Sequence, residues 1–199
     1  MPKVSEEHRK QRRNEIARAA LRCFADKGFA ATSMTDIIAE SGLSAGAIYG
    51  HFASKEELIE AAVSDLLADT FPPVTLQQWP APFPTPDTVV RSLIGSINNR
   101  IGEAKLLLQV WGQACTTPPL KVAASGVGER LRIMFYTYLI HWFEQEHSHD
   151  DAIVLAEKYA DVYVGLAQGY VTQSALFDHF DGERYLDALG DIRFSASPR

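Results

Sequence analysis

The sequence predicts an all-α protein of about nine helices. Apolar residues recur at helical spacing, as in Ile16, Ala20, Cys23 and Phe24 with Ala17 beside them. Helix-start signals, a Ser or Thr followed three residues on by Asp or Glu, recur between the periodic stretches. From residue 54 onward no period-2 alternation of a strand is seen. The reading is a small N-terminal bundle of three helices over 1–53 and a larger helical region over 54–199.

Each element follows from local chemistry. The first helix covers 9–27 and ends at Gly28, a usual C-terminal residue. Ser33 caps the second, Met34 to Ser41, with Asp36 three residues on; Gly42 stops it. Ser44 caps a third helix that runs only to about His51. Ser54 caps a fourth over 55–70, and Glu57 completes a Ser-x-x-Glu capping box. The stretch FPPVTLQQWPAPFPTPD (71–87) holds six of the ten prolines, so it is a long loop. Trp79 and Phe83 in this loop are expected to pack down and cover a pocket entrance. Helices follow at 87–101, 103–115 and 118–147, the last with Thr117 as cap, Pro118 in its first turn and Gly126 and Gly128 as kink points. Ser148 and Asp151 open a helix to about Phe180, and a short one covers 182–190.

Composition narrows the function. Hydrophobic residues are 46% of the 199, enough for a proper core, and charged residues 22%. The N-terminus lacks the apolar core of a secretion signal. The apolar segment IMFYTYLI (133–140) is too short to span a bilayer. Cys23 and Cys115 have no metal-ligand spacing, which suits a reduced cytoplasmic protein. Net charge is −6, yet residues 1–13 carry five basic and two acidic side chains. A basic arm on an acidic body suits a protein that meets phosphate at one end only, although a solvated helix start fits as well.

The second and third helices, joined at Gly42, form a helix-turn-helix candidate. Ile37, Leu43 and Ile48 would face the first helix and hold the angle. Ser44, Ala45, Gly46, Ala47, Tyr49 and His51 are left at the front and side. Small residues there let the backbone press close to bases and phosphates, which can offset the roughly 1 kcal/mol that a glycine costs a helix. Lys55 stands near a phosphate position at the start of the fourth helix.

The segment FAATSMTDIIAESGLSAGAIYGHFASKEEL (29–58) resembles the N-terminal domain of the TetR family of transcriptional repressors. Tyr49-x-His51-Phe52, Ser54-Lys55-Glu56-Glu57-Leu58 and Gly42 fall in that family's register. Ile38, four before the turn glycine, departs from the small residue common there. The resemblance implies a palindrome-binding dimer released by a small apolar ligand. It places DNA contacts on Ser33 and Thr35, on Ser44, Ala45, Gly46, Ala47, Tyr49 and His51, and on Lys55. Capping alone also explains Ser33, Ser44 and Ser54, and bundle packing also explains Tyr49 and Phe52.

Past residue 54 the expectations are a sensor and a dimer module. Candidate ligand-binding residues are Phe71, Ile94, Asn98, Ile101, Leu108, Trp111, Met134, Tyr138, Trp142, Tyr163 and Gln168, an apolar set with Asn98 and Gln168 as polar partners. Between 88 and 143 six basic residues face two acidic ones, which favours a neutral or anionic ligand, unless it is only a solvated face. The dimer stripe is read as Ala156, Ala160, Tyr163, Ala167, Val171 and Ser174, with intramolecular core as the alternative. Ligand entry is expected to repack 87–115 and swing 54–70. Rival readings stay open. A metal site at His141, His147, His149, Asp150 and Asp151 is one alternative, though the stretch reads as a polar turn. An enzyme is disfavoured because no phosphate loop, nucleophile elbow or carboxylate pair appears, and no cofactor is implied. An interaction module without DNA binding, and activation instead of repression, remain alternatives.

Overall fold

The computed structural model describes residues 6–70, 82–101 and 104–192. Among the described residues there are nine helices and no strand. In chain order they are α1 (Glu6–Ala31), α2 (Met34–Ser41), α3 (Ala45–Tyr49), α4 (Lys55–Thr70), α5 (Pro86–Ile101), α6 (Ala104–Ala114), α7 (Pro118–Phe143), α8 (His149–Leu176) and α9 (Gly182–Gly190). The chain forms two units. One joins residues 1–69 with 109–123, the other 70–108 with 124–199. Thus α4 falls with the N-terminal helices, and α6 and α7 each contribute to both units.

In the first unit, α1 breaks at Gly28, where φ is 82° and ψ 163°. Only glycine adopts that conformation without a Cβ clash. One further turn follows, so α1 reaches beyond the glycine that was expected to end it. Thr32, 1% exposed, seals the break by donating from Oγ1 to the Gly28 carbonyl at 2.8 Å. Ile16, Ala20, Phe24, Ile37, Ile48, Phe52 and Leu58 are fully buried and form this unit's core.

In the second unit the core holds Val90, Phe135, Tyr138, Leu139, Ala156 and Ala160, all fully buried. Arg91 of α5 bridges to Glu183 and, at 2.9 Å, to Asp187 of α9. Two boundaries are shorter than the sequence reading. α7 stops at Phe143, not 147, because Phe143 is the last apolar residue before the polar run from Glu144. α8 stops at Leu176, not near Phe180: Phe177 turns to extended backbone, and Phe180 folds back edge-on to Tyr170 with ring centroids 5.3 Å apart. α7 is helical throughout 118–143, Gly126 and Gly128 included. Among the described residues no helix is long and apolar enough to cross a membrane.

Candidate nucleic-acid interface

The two helices of the candidate motif are held by their caps. Ser33 accepts from the Asp36 amide while the Asp36 carboxylate accepts from the Ser33 amide, a complete capping box. Lys27 donates to that carboxylate at 2.7 Å and, with Ser33, holds its pKa far below the usual carboxylate range. Gly42 takes the left-handed conformation, φ 66°, and its N–H closes on the Ile38 carbonyl at 3.2 Å. Ser44 caps α3 by accepting from the Ala47 amide at 3.2 Å. Ile37 and Ile48 are buried and Leu43 half-buried, so the angle between α2 and α3 is set from inside.

What remains outside is small. Ser33, Thr35, Ser44, Ala45 and Gly46 are exposed, Ala47 and His51 half-buried, and Tyr49 is 52% exposed. A Cβ built on Gly46 would meet no atom within 4 Å, so nothing inside the chain requires glycine there. The outer face of α3 is therefore a length of helix backbone flanked by methyl groups and one tyrosine.

The start of α4 is tied to α1 by two cations. Lys55 Nζ donates to the carbonyls of Phe29 at 3.1 Å and Thr32 at 3.0 Å, with Ala30 at 3.4 Å. The Phe29 and Ala30 carbonyls lie in the last turn of α1 and that of Thr32 just past it, where carbonyls lack intrahelical partners, so an ammonium there caps them. Arg13 donates to the His51 carbonyl at 2.9 Å and lies over the Phe52 ring at 4.1 Å. Burial, then the charges of Arg9, Arg13 and Arg12, lower the His51 pKa and favour its neutral form. The fourth-helix box is formed with one change: Ser54 accepts from the Glu57 amide, but Glu57 accepts from Ala53. The roles of Arg13 and Lys55 escaped the sequence reading because their partners lie 38 and 23 to 26 residues away.

The expected ligand residues are scattered. Phe71 and the side chain of Ile101 lie outside the described residues. Ile94, Tyr138 and Tyr163 are buried, and Leu108, Trp111, Met134 and Trp142 half-buried. Asn98 and Gln168 are exposed, so they are not convergent polar groups of an interior pocket. Trp111 falls in the first unit, the others in the second. Tyr138 is committed: its hydroxyl donates to the Pro84 carbonyl at 2.7 Å, and Phe83 stacks on its ring at 5.5 Å. Phe83 thus packs down as its loop position suggests; Trp79 lies outside the described residues. Trp142 and Tyr163 do share a cavity of about 420 Å³, together with Asp87 at the start of α5, the α7–α8 turn and the end of α9.

The dimer stripe needs correcting. Ala156, Ala160, Tyr163, Ala167 and Val171 are 0 to 4% exposed in the single chain, so that face of α8 packs into its own unit. Ser174 alone is exposed, its hydroxyl donating to the Val171 carbonyl. The outer face carries Val154 (67% exposed), Val162, Gly165 and Leu176 (61%). Of the six basic residues between 88 and 143, Arg91 pairs with Glu183 and Asp187, and Arg132 with Glu157 and Asp161. His141 and His149 share the Glu144 carboxylate, and among the described residues no cluster could hold a metal ion.

Residues 16–62 match the family model described as bacterial regulatory proteins, tetR family. Over 62 residues the chain is 44% identical to the uncharacterized HTH-type transcriptional regulator YfiR of Bacillus subtilis, covering 31% of this chain and 30% of that protein. Over 56 residues it is 41% identical to the HTH-type transcriptional repressor KstR2 of Mycolicibacterium smegmatis, covering 28% of this chain and 27% of that one. The chain thus matches less than a third of the length of these curated relatives. A TetR-family regulator from Cytophaga hutchinsonii shares the fold with a TM-score of 0.65 at 20% identity, over 95% of both chains.

Proposed function

We propose, from the chain's membership of the TetR family of bacterial regulatory proteins, that it is a ligand-responsive repressor that binds a palindromic operator as a homodimer. The observation that carries this is the outer face of α3. Ala45 and Gly46 are exposed, Tyr49 stands out at 52%, and no internal packing accounts for the smallness of Gly46. A backbone bared this way suits close approach to a major groove, with Ser33, Thr35, Ser44, Ala47 and His51 around it and DNA shape supplying part of the specificity. Lys55 serves as a clamp that fixes the start of α4 against α1, because its ammonium already has carbonyl partners.

The dimer forms through the outer face of α8. Val154, Val162 and Leu176 are apolar side chains left in solvent by the single chain, and Gly165 has open space above it for a close helix approach. The effector acts on the second unit. Its signal runs through α6, which continues from residue 108 into the first unit at Gln109. There the Gln109 Oε1 is buried without a hydrogen-bond partner, beside the break at Gly28. A group left unsatisfied this way favours a rearrangement that satisfies it.

Selection of bound sequences from random duplex DNA tests the reading. The expected result is an inverted repeat with half-site centres one helical turn apart, about 34–36 Å. Recovery of no common sequence at low salt, from a folded dimer, would refute it.

A further inference from the structure

We infer that the cavity in the second unit, between the start of α5, the α7–α8 turn and the end of α9, takes a small organic cation with an apolar body, such as a quaternary amine. Its volume, about 420 Å³, is that of a small-molecule site. Two carboxylates line it, Asp87 and Glu146, and among the described residues lining it there is no Lys or Arg. Aromatic rings share the wall, Trp142, Phe143 and Tyr163, with the His147 ring edge-on to Phe143 at 6.1 Å, and Leu189, Ile192 and Pro86 add apolar surface. The pairing of negative charge with aromatic rings selects a large, weakly hydrated cation over an anion, which would meet two carboxylates with no counter-charge.

The electrostatics of the wall agree. Burial raises the Tyr163 pKa, and the charge of Asp87 raises it further, so Asp87 acts on the same space. Gly190 completes the site: a Cβ there would stand 3.5 Å from the Asp87 carboxyl carbon, and glycine leaves that side of the carboxylate less crowded. An inorganic metal ion suits the cavity poorly, since the described residues hold no cluster of three ligating side chains. The basic residues that favoured a neutral or anionic ligand do not line it; Arg91 and Arg132 are engaged by carboxylates of α9 and α8.

The inference names the ligand class for the effector reading and rests on it, so binding is measured without DNA and operator release separately. Isothermal titration of the full chain at pH 8 compares benzyltrimethylammonium with benzylsulfonate, of similar size and opposite charge. The cation is expected to bind at least about tenfold more tightly. Asp87→Asn should weaken it about tenfold and Glu146→Gln, at an exposed position, a few-fold, with helical circular dichroism unchanged. Equal or tighter binding of the sulfonate, or a cation affinity indifferent to Glu146→Gln combined with Asp87→Asn, would overturn the site. Carboxylate-dependent binding that leaves the selected operator complex intact would uphold the site and remove its effector role.

Discussion

Two helices of this protein are rich in small residues and turn them opposite ways. In α3, Ala45 and Gly46 lie at the surface and the one branched aliphatic side chain, Ile48, is buried. In α8, Ala152, Ala156, Ala160 and Ala167 are buried, and the valines Val154 and Val162 stand in solvent. A small residue inside lets the protein's own helices approach; a small residue outside leaves room for something that is not the protein. The same composition therefore supports packing in one helix and recognition in the other, and only burial separates the two.

The comparison is sharpened first at the outer face of α8. Val154→Asp with Val162→Asp places like charges across the proposed dimer contact. Sedimentation should then show monomers, and operator affinity should fall roughly hundredfold or more, because one head is lost from each complex. A dimer that survives would move the interface elsewhere. On the inner face, Ala160→Leu pushes extra methylenes into a sealed position. Urea unfolding should show a loss of about 1–3 kcal/mol with the dimer intact. Indifference would mean that the stripe is not core.

The smallest effect is expected at the base of the reading head. Lys55→Met removes a charged donor from the α1 carbonyls and should cost about 1–2 kcal/mol of stability. The slope of log affinity against log salt should not change. If Lys55 instead neutralises a phosphate, that slope should shallow by about 0.9.

What was legible in the sequence follows the range of the forces involved. The caps at Ser33, Ser44 and Ser148 and the turn at Gly42 act within four residues, and they stand where the sequence puts them. The inward role of Ile37 and Ile48 follows from spacing alone. Lys55 and Arg13 were visible as basic residues, but their partners across the fold were not. For α8 the periodicity correctly marks a stripe, yet an amphipathic helix does not say whether that stripe meets its own chain or a second one. The cavity of the second unit joins Asp87, Glu146 and Tyr163 from three separate segments. No local pattern links them, and counting charges over 88–143 passed over both carboxylates.

The bare face of α3 is the central claim, and Gly46→Leu tests it most directly. Leucine favours the helix by about 1 kcal/mol over glycine, and the space beyond the Gly46 Cβ position is open. The account predicts an unchanged or raised melting temperature together with at least roughly hundredfold weaker binding to the selected operator, as the side chain holds the backbone off the groove. Full operator affinity in a stable Gly46→Leu protein would contradict it.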